Sequence, residues 1–283
     1  MNRTFVAAGL LLAALVVACS GDNGSDPPQS GTVPPAALPS PTPSLTPGEA
    51  PGSTATPTPS PAAAQPPQTD PPPTDVVAQV IRYGDTSRHV VALTFDAGSD
   101  VGYAAMILDT LSANGVRASF GMTGRWAETN PGLLQRMVAD GHTLINHSYG
   151  HRSFTGDSSQ ADGLSEAERW DELNRTEQII NDLTGATTRP YFRPPFGDYD
   201  QSVNEDVGAF GYTYNVMWAI DSRGWMGIPA AQIAQRCIDL AEPGAIYVFH
   251  VGSASEDGPA LQSIIDGLRA EGYEITDLPG VLE

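Results

Sequence analysis

Lysine is absent: the 14 basic side chains of the 283-residue chain are all arginine, and against 33 acids they leave a formal net charge of −19. That imbalance argues against a nucleic-acid surface and against electrostatic attraction to anionic lipid. It leaves a neutral or amino-bearing molecule as the expected partner. Cysteine is scarce as well, Cys19 and Cys237 being the 2 in the chain. The apolar run from Phe5 to Val17 is too short to span a bilayer and, following Arg3, has the form of an export-signal core. Aromatic residues are missing from Ser20 to about Asp75, where Pro, Ser, Thr, Ala, Gly, Gln and Asp dominate and 17 of the 25 prolines fall. Such a stretch cannot bury enough apolar surface to fold.

These absences divide the chain. Val16-Val17-Ala18-Cys19 resembles the bacterial lipobox, an aliphatic residue three before the cysteine and a small one just before it. An ordinary cleaved signal is the other reading. On the lipobox reading 1–18 is a lipoprotein signal peptide, Cys19 carries the lipid, and Cys237 is left with no disulfide partner. Residues 19–75 are then a disordered spacer, which as polyproline II could reach on the order of 170 Å. The expected location is extracytoplasmic, held to the cell membrane through the N-terminal lipid alone. Residues 76–283 form one domain of ordinary size.

From His89 onward strand-like and helix-like patterns alternate. Strands are expected at 89–95, 116–122, 143–145, 191–192, 212–220, 245–249 and 273–275. Helices are expected at 101–113, 131–139, 165–183, 201–210, 229–240 and 259–270, the third opened by the capping box Ser165-Glu166-Ala167-Glu168. Such alternation implies an α/β fold of parallel strands with crossover helices, either an open doubly wound sheet or a closed barrel. Chemistry-bearing residues would then lie at the carboxyl ends of the strands.

Two of the five histidines, His147 and His151, follow the short strand 143–145. Four apart, they would share one face of a helical turn and converge on a metal ion; two solvated loop histidines are the alternative. Another strand ends on Asp96 and another on His250.

In order, the strand ends read Thr94-Phe95-Asp96-Ala97-Gly98, His147-Ser148-Tyr149-Gly150-His151, Arg193-Pro194-Pro195-Phe196-Gly197, Asp221-Ser222-Arg223-Gly224-Trp225 and Val248-Phe249-His250. Together they resemble the five motifs of the polysaccharide deacetylases, the NodB homology domain of carbohydrate esterase family 4. The resemblance implies a distorted (β/α)7-type barrel that removes acetyl groups from N-acetylated sugars by metal-assisted hydrolysis. It implies that His147 and His151 hold a divalent metal, usually zinc, with cobalt or another ion possible. Asp96 would be the general base towards metal-bound water and His250 the acid that protonates the leaving nitrogen. Arg193 would orient Asp96, and the Phe196 backbone N–H would help stabilise the oxyanion. Trp225 and Val248 would wall the acetyl pocket, with Asp221 behind them.

Two carboxylates of that pattern are missing. The usual third metal ligand is replaced by Ala97, and the aspartate that usually precedes the tryptophan by Gly224. Asp100, three residues beyond Ala97, is a candidate substitute ligand, or else the cap of the helix expected near Val101. The leading expectation is an enzyme acting on cell-wall glycan or a related oligosaccharide. The alternatives are an inactive glycan-binding relic of the same fold and a hydrolase of O-acetyl esters or other amides.

Overall fold

The computed structural model describes residues 76–283. The expected signal segment, Cys19 and the spacer lie outside the described residues. Within them the elements run β1 (Gln79–Ile81), β2 (Val90–Ala97), α1 (Ala104–Asn114), β3 (Ser119–Met122), α2 (Gly124–Thr129), α3 (Pro131–Ala139), β4 (Thr143–Asn146), α4 (Glu166–Thr184) and β5 (Tyr191–Phe192). They continue with α5 (Gln201–Ala209), β6 (Tyr214–Val216), β7 (Ile220–Asp221), α6 (Ala230–Asp239), β8 (Ile246–His250), α7 (Asp257–Ala270), β9 (Glu274–Thr276) and α8 (Leu278–Leu282). The strands lie in the order β1-β6-β5-β4-β3-β2-β8-β7, with β9 also paired to β2. Every pairing between these strands is parallel. This is a distorted (β/α)7-type barrel, as the family resemblance implies; of the two architectures that the strand–helix alternation allows, it is the barrel.

The seam of the barrel explains one departure from the sequence reading. The apolar run 212–220 reads as one strand but forms two, β6 near one edge of the sheet and β7 at the other. Between them Met217 N–H donates to Ile81 at 2.8 Å and Ala219 N–H to Ile246 at 2.9 Å. Three residues thus step across the gap, which draws the two edges together. Strand β1, and helices α2 and α8, are short elements that hydrophobic periodicity does not reveal.

Alternation along β2 sets the layers. Val91, Leu93, Phe95 and Ala97 belong to the main cluster shared with α1, α6 and α7. Val90 and Ala92 lie in a second cluster with Ile145, Val216 and Leu278. The remaining side chains of that second face, Thr94 and Asp96, are polar and buried at the carboxyl end. One face of a single strand therefore passes from apolar floor to reactive rim, as the two-residue period requires. The capping box closes as expected, with Ser165 and Glu168 bonding each other's backbone at the start of α4.

Candidate active site

Asp96, the penultimate residue of β2, is held from one side by Arg193, which follows β5. Arg193 is fully buried. Its Nη1 donates to Asp96 Oδ1 at 2.7 Å, its Nη2 to Thr94 Oγ1 at 2.8 Å and its Nε to the Val216 carbonyl at 2.9 Å. Room for this pair comes from β3: a Cβ on Gly121 would stand 2.5 Å from Asp96 Oδ1. Burial alone would push the Asp96 carboxyl up, but Arg193, His147 and His250 outweigh it and hold it below the usual carboxylate range. It is ionised at neutral pH.

His147 stands on the other side of the carboxylate, Nε2 3.8 Å from Asp96 Oδ2. Its Nδ1 lies 2.9 Å from the Arg193 carbonyl, an acceptor, so Nδ1 carries the proton and Nε2 keeps its lone pair. The His147 and His151 rings approach to 4.8 Å between centroids. Burial lowers His147, and burial, together with the cost of a second positive ring beside His147, brings His151 down to about 4. Both imidazoles are therefore neutral at pH 7, the form that ligates metal.

The segment that carries them is not the helical turn expected from the spacing. Ser148 and His151 both have left-handed backbone, φ 65° and 58°. The bend is held by side chains: Asn146 Oδ1 accepts from Ser148 N–H at 3.0 Å, and Ser148 Oγ from His151 N–H at 3.0 Å. Glu172 of α4 accepts from Tyr149 and Gly150 N–H at 2.9 and 2.7 Å. The rings converge because a loop is strapped into shape, not because of helical periodicity.

Asp100 does not join them. Its Oδ1 accepts from Ser253 N–H at 2.8 Å, its Oδ2 accepts from the Ser253 hydroxyl, and its carbonyl accepts from Trp126 Nε1 at 3.0 Å. It ties the loop after β2 to the loop after β8. Nor is it a helix cap, since α1 begins at Ala104 with Tyr103 before it and no side-chain cap. Among the described residues no group of three or more His, Cys, Asp or Glu side chains is arranged to hold a metal ion. The two imidazoles thus fit a divalent ion as neutral nitrogen ligands, while the expected set of His147, His151 and Asp100 is not assembled.

A cavity of about 630 Å³ opens over this group, lined by Asp96, His147, His151, Phe196, Asp221, Trp225, Val248 and His250. Ten of the eleven sequence-predicted site residues therefore have described positions, and nine of those ten are at the cavity or directly behind it: the eight just named, which are among its lining residues, and Arg193, which sits behind Asp96. Phe196 is half exposed with φ 61°, a left-handed conformation uncommon for a bulky residue, and its ring meets His151 edge-on at 4.6 Å. Trp225 stands at the rim with its Nε1 donating to Asp221 Oδ2 at 3.1 Å. Asp96 and His250 are register partners on neighbouring strands. Burial pulls the His250 imidazole down, but Asp257, Asp96 and Asp221 outweigh it and raise its pKa. Carboxylate and imidazole are pushed in opposite directions, the pattern of a paired base and acid.

Sequence reasoning missed Trp218, which lines the cavity and lies 5.8 Å from the Arg193 guanidinium, Glu172 beneath the histidine loop, and Asp257 behind His250. Trp218 sits inside what reads as a plain strand. Glu172 and Asp257 lie on helices whose sequence pattern carries no sign of what they face.

The fold and this grouping are those of a parallel-barrel hydrolase. A family model described as polysaccharide deacetylase matches residues 83–215. The chain is 30% identical over 204 residues to the peptidoglycan-N-acetylmuramic acid deacetylase PdaA of Bacillus subtilis, covering 70% of this chain and 73% of that protein. It is 29% identical over 206 residues to a peptidoglycan-N-acetylglucosamine deacetylase of Bacillus cereus, covering 71% and 70%. Among solved structures, a family 4 carbohydrate esterase pseudoenzyme from Bacillus anthracis superposes with TM-score 0.66 at 28% identity, covering 74% of this chain and 70% of that one. The chain belongs to the polysaccharide deacetylase family, carbohydrate esterase family 4, whose members use a divalent metal.

Proposed function

We propose that this protein removes acetyl groups from N-acetylated sugars of peptidoglycan or a related surface glycan, and does so at the cavity between Asp96 and His250. The observation that carries the reading is the Arg193–Asp96–His147 group facing His250 across neighbouring strands. Asp96, ionised and aimed by Arg193, takes a proton from the attacking water. The tetrahedral species collapses as the C–N bond breaks, and His250 gives its proton to the departing nitrogen, which would otherwise be too poor a leaving group. Phe196 N–H stabilises the developing oxyanion, and Trp225 and Val248 wall the acetyl methyl. His147 and His151 would hold a divalent ion, zinc by the family resemblance, and such an ion lowers the pKa of water and polarises the acyl oxygen. The names of the Bacillus relatives support wall glycan as substrate.

The reading extends to location: exported, lipidated at Cys19 and held to the membrane through that lipid. Cys19→Ser should move the protein out of the membrane fraction. The chemistry is tested by acetate release from the purified protein on peptidoglycan and on chitooligosaccharide, with zinc, with cobalt and with chelator. Release that chelator leaves unchanged would remove the metal from the account. A binding relic is the second reading, favoured by Ala97 and Gly224 and by the likeness to a pseudoenzyme; glycan binding without acetate release under any metal would establish it.

A further inference from the structure

Gly224 stands where the family pattern has an aspartate before the tryptophan, and its surroundings give a reason. Its backbone is not among the left-handed glycines, so conformation does not demand glycine. Space does: a Cβ there would lie 2.1 Å from Ser255 Oγ and 2.5 Å from Asp257 Oδ1. The direction in which a side chain at 224 would point is already filled by the carboxylate of Asp257.

Asp257 opens α7 and is fully buried. Its Oδ2 accepts from His250 N–H at 2.8 Å and from Ser222 Oγ at 3.1 Å, and lies 3.8 Å from His250 Nδ1. Ser222 Oγ in turn accepts from Gly224 N–H at 3.2 Å. Three buried polar atoms of this cluster have no partner: His250 Nδ1, Asp257 Oδ1 and Ser255 Oγ. His250 Nδ1, unpaired where an unpaired polar atom is costly, has the Asp257 carboxylate beside it, with Oδ2 3.8 Å away, so a modest approach of ring and carboxylate would make the hydrogen bond. The other charged groups facing His250 are Asp96 from β2 and Asp221 from β7, with the His147 and His151 rings beyond.

We infer that Asp257 is the positioning residue of His250, a carboxylate supplied from α7 in place of the one that Gly224 lacks, holding the imidazole by Nδ1 so that Nε2 faces the cavity. This rests on the proposed role of His250 as acid. A carboxylate behind an imidazole fixes its tautomer and favours its protonated form. The ordinary alternative is that Asp257 is a first-turn acid on α7 tying down the loop after β8.

Imidazole ¹⁵N spectra of the wild-type protein give the first test, needing neither a variant nor activity. The neutral form of His250 should carry its proton on Nδ1; an Nε2–H tautomer would overturn the inference. Asp257→Asn should lower the pH at which His250 titrates and reduce kcat for acetate release at neutral pH by about tenfold or more with KM little changed. A His250 midpoint and kcat equal to wild type would refute it. If the wild type releases no acetate yet the midpoint shifts in the variant, the pair stands and the enzyme reading falls. The third test moves the carboxylate back: Asp257→Ala with Ser255→Gly and Gly224→Asp should recover the His250 midpoint that Asp257→Ala alone loses. A folded triple variant without that recovery would show that positions 224 and 257 are not equivalent.

Discussion

Replacing Arg193 by Met tests the centre of the site, because it leaves Asp96 buried with its main counter-charge gone. Arg193 makes three side-chain hydrogen bonds, to Asp96, Thr94 and the Val216 carbonyl, from a fully buried position. Removing one member of a buried ion pair costs about 3–5 kcal/mol. For a domain of roughly 200 residues that corresponds to a fall in melting temperature on the order of 6 to 20 °C. The sign of the pH dependence follows from Asp96. In wild type its carboxyl is depressed, so the pair's contribution is present above the unfolded value near ~3.9 and is lost as pH falls through the lower folded value. In the variant, burial acts with less opposition and favours the protonated acid, so the penalty eases on acidification. The gap between the two melting curves should be widest at neutral pH and narrow towards acid. Thermal unfolding of metal-free protein from pH 7 down to pH 4 measures it. The cycle with Asp96→Asn is the control: the double variant should be more stable than Arg193→Met alone, by on the order of 1–3 kcal/mol. A variant that melts within about 2 °C of wild type at pH 7, or strictly additive single variants, would refute the reasoning.

Metal content is expected to be about one divalent ion per chain and to vanish in His147→Ala; equal metal in that variant by elemental analysis would remove the assignment. Glu172→Ala should leave Tyr149 and Gly150 N–H unpaired, costing about 1–3 kcal/mol each. By loosening the histidine loop it should also weaken zinc affinity by about tenfold or more; unchanged affinity by competition titration would contradict the strap. Asp100→Ala should leave zinc affinity unchanged, since that carboxylate is spent on Ser253. Ala97→Asp buries a carboxylate, so it should melt lower than wild type without metal but be raised further by added zinc; an identical zinc response in both proteins would exclude position 97 from the metal's reach.

How far the sequence carries depends on how far apart the interacting residues are. The polar ends of the strands were legible because a parallel strand announces itself as an apolar run and its first polar residue then marks the rim; Asp96 and His250 were found in this way. The capping box of α4 was legible because all its partners lie within three residues. The histidine turn was legible in outcome and misread in cause, since a spacing of four is satisfied both by a helical turn and by a loop with two left-handed residues. Asp100 was misplaced for a related reason. Proximity in sequence to Ala97 says nothing about which way a loop turns, and this one turns towards Ser253. Trp218 was hidden because the seam of the barrel interrupts an unbroken apolar run, and Asp257 because its relation to His250 is made in space across a loop of six residues.

The two missing carboxylates do not have the same meaning. At position 97 the side chain that remains is small, apolar and packed in the main cluster; apart from Asp96, already paired with Arg193 and 3.8 Å from His147 Nε2, no further carboxylate completes a metal-holding group with the histidines among the described residues. At position 224 the glycine is matched by an acid whose oxygen fills the vacated direction and by a serine that would collide with any side chain there. Loss without use leaves a gap that neighbouring residues fill with whatever packs. A buried carboxylate set beside the same imidazole is a costly way to fill it, because an acid removed from water needs its partners supplied. On the proposed roles, the change at 224 in the proton-delivering half is compensated by Asp257, while the change at 97 in the metal-binding half is not. On those roles, acetate release should depend steeply on zinc concentration and rise more readily with zinc in Ala97→Asp, and titrating activity against zinc is where the missing ligand should appear.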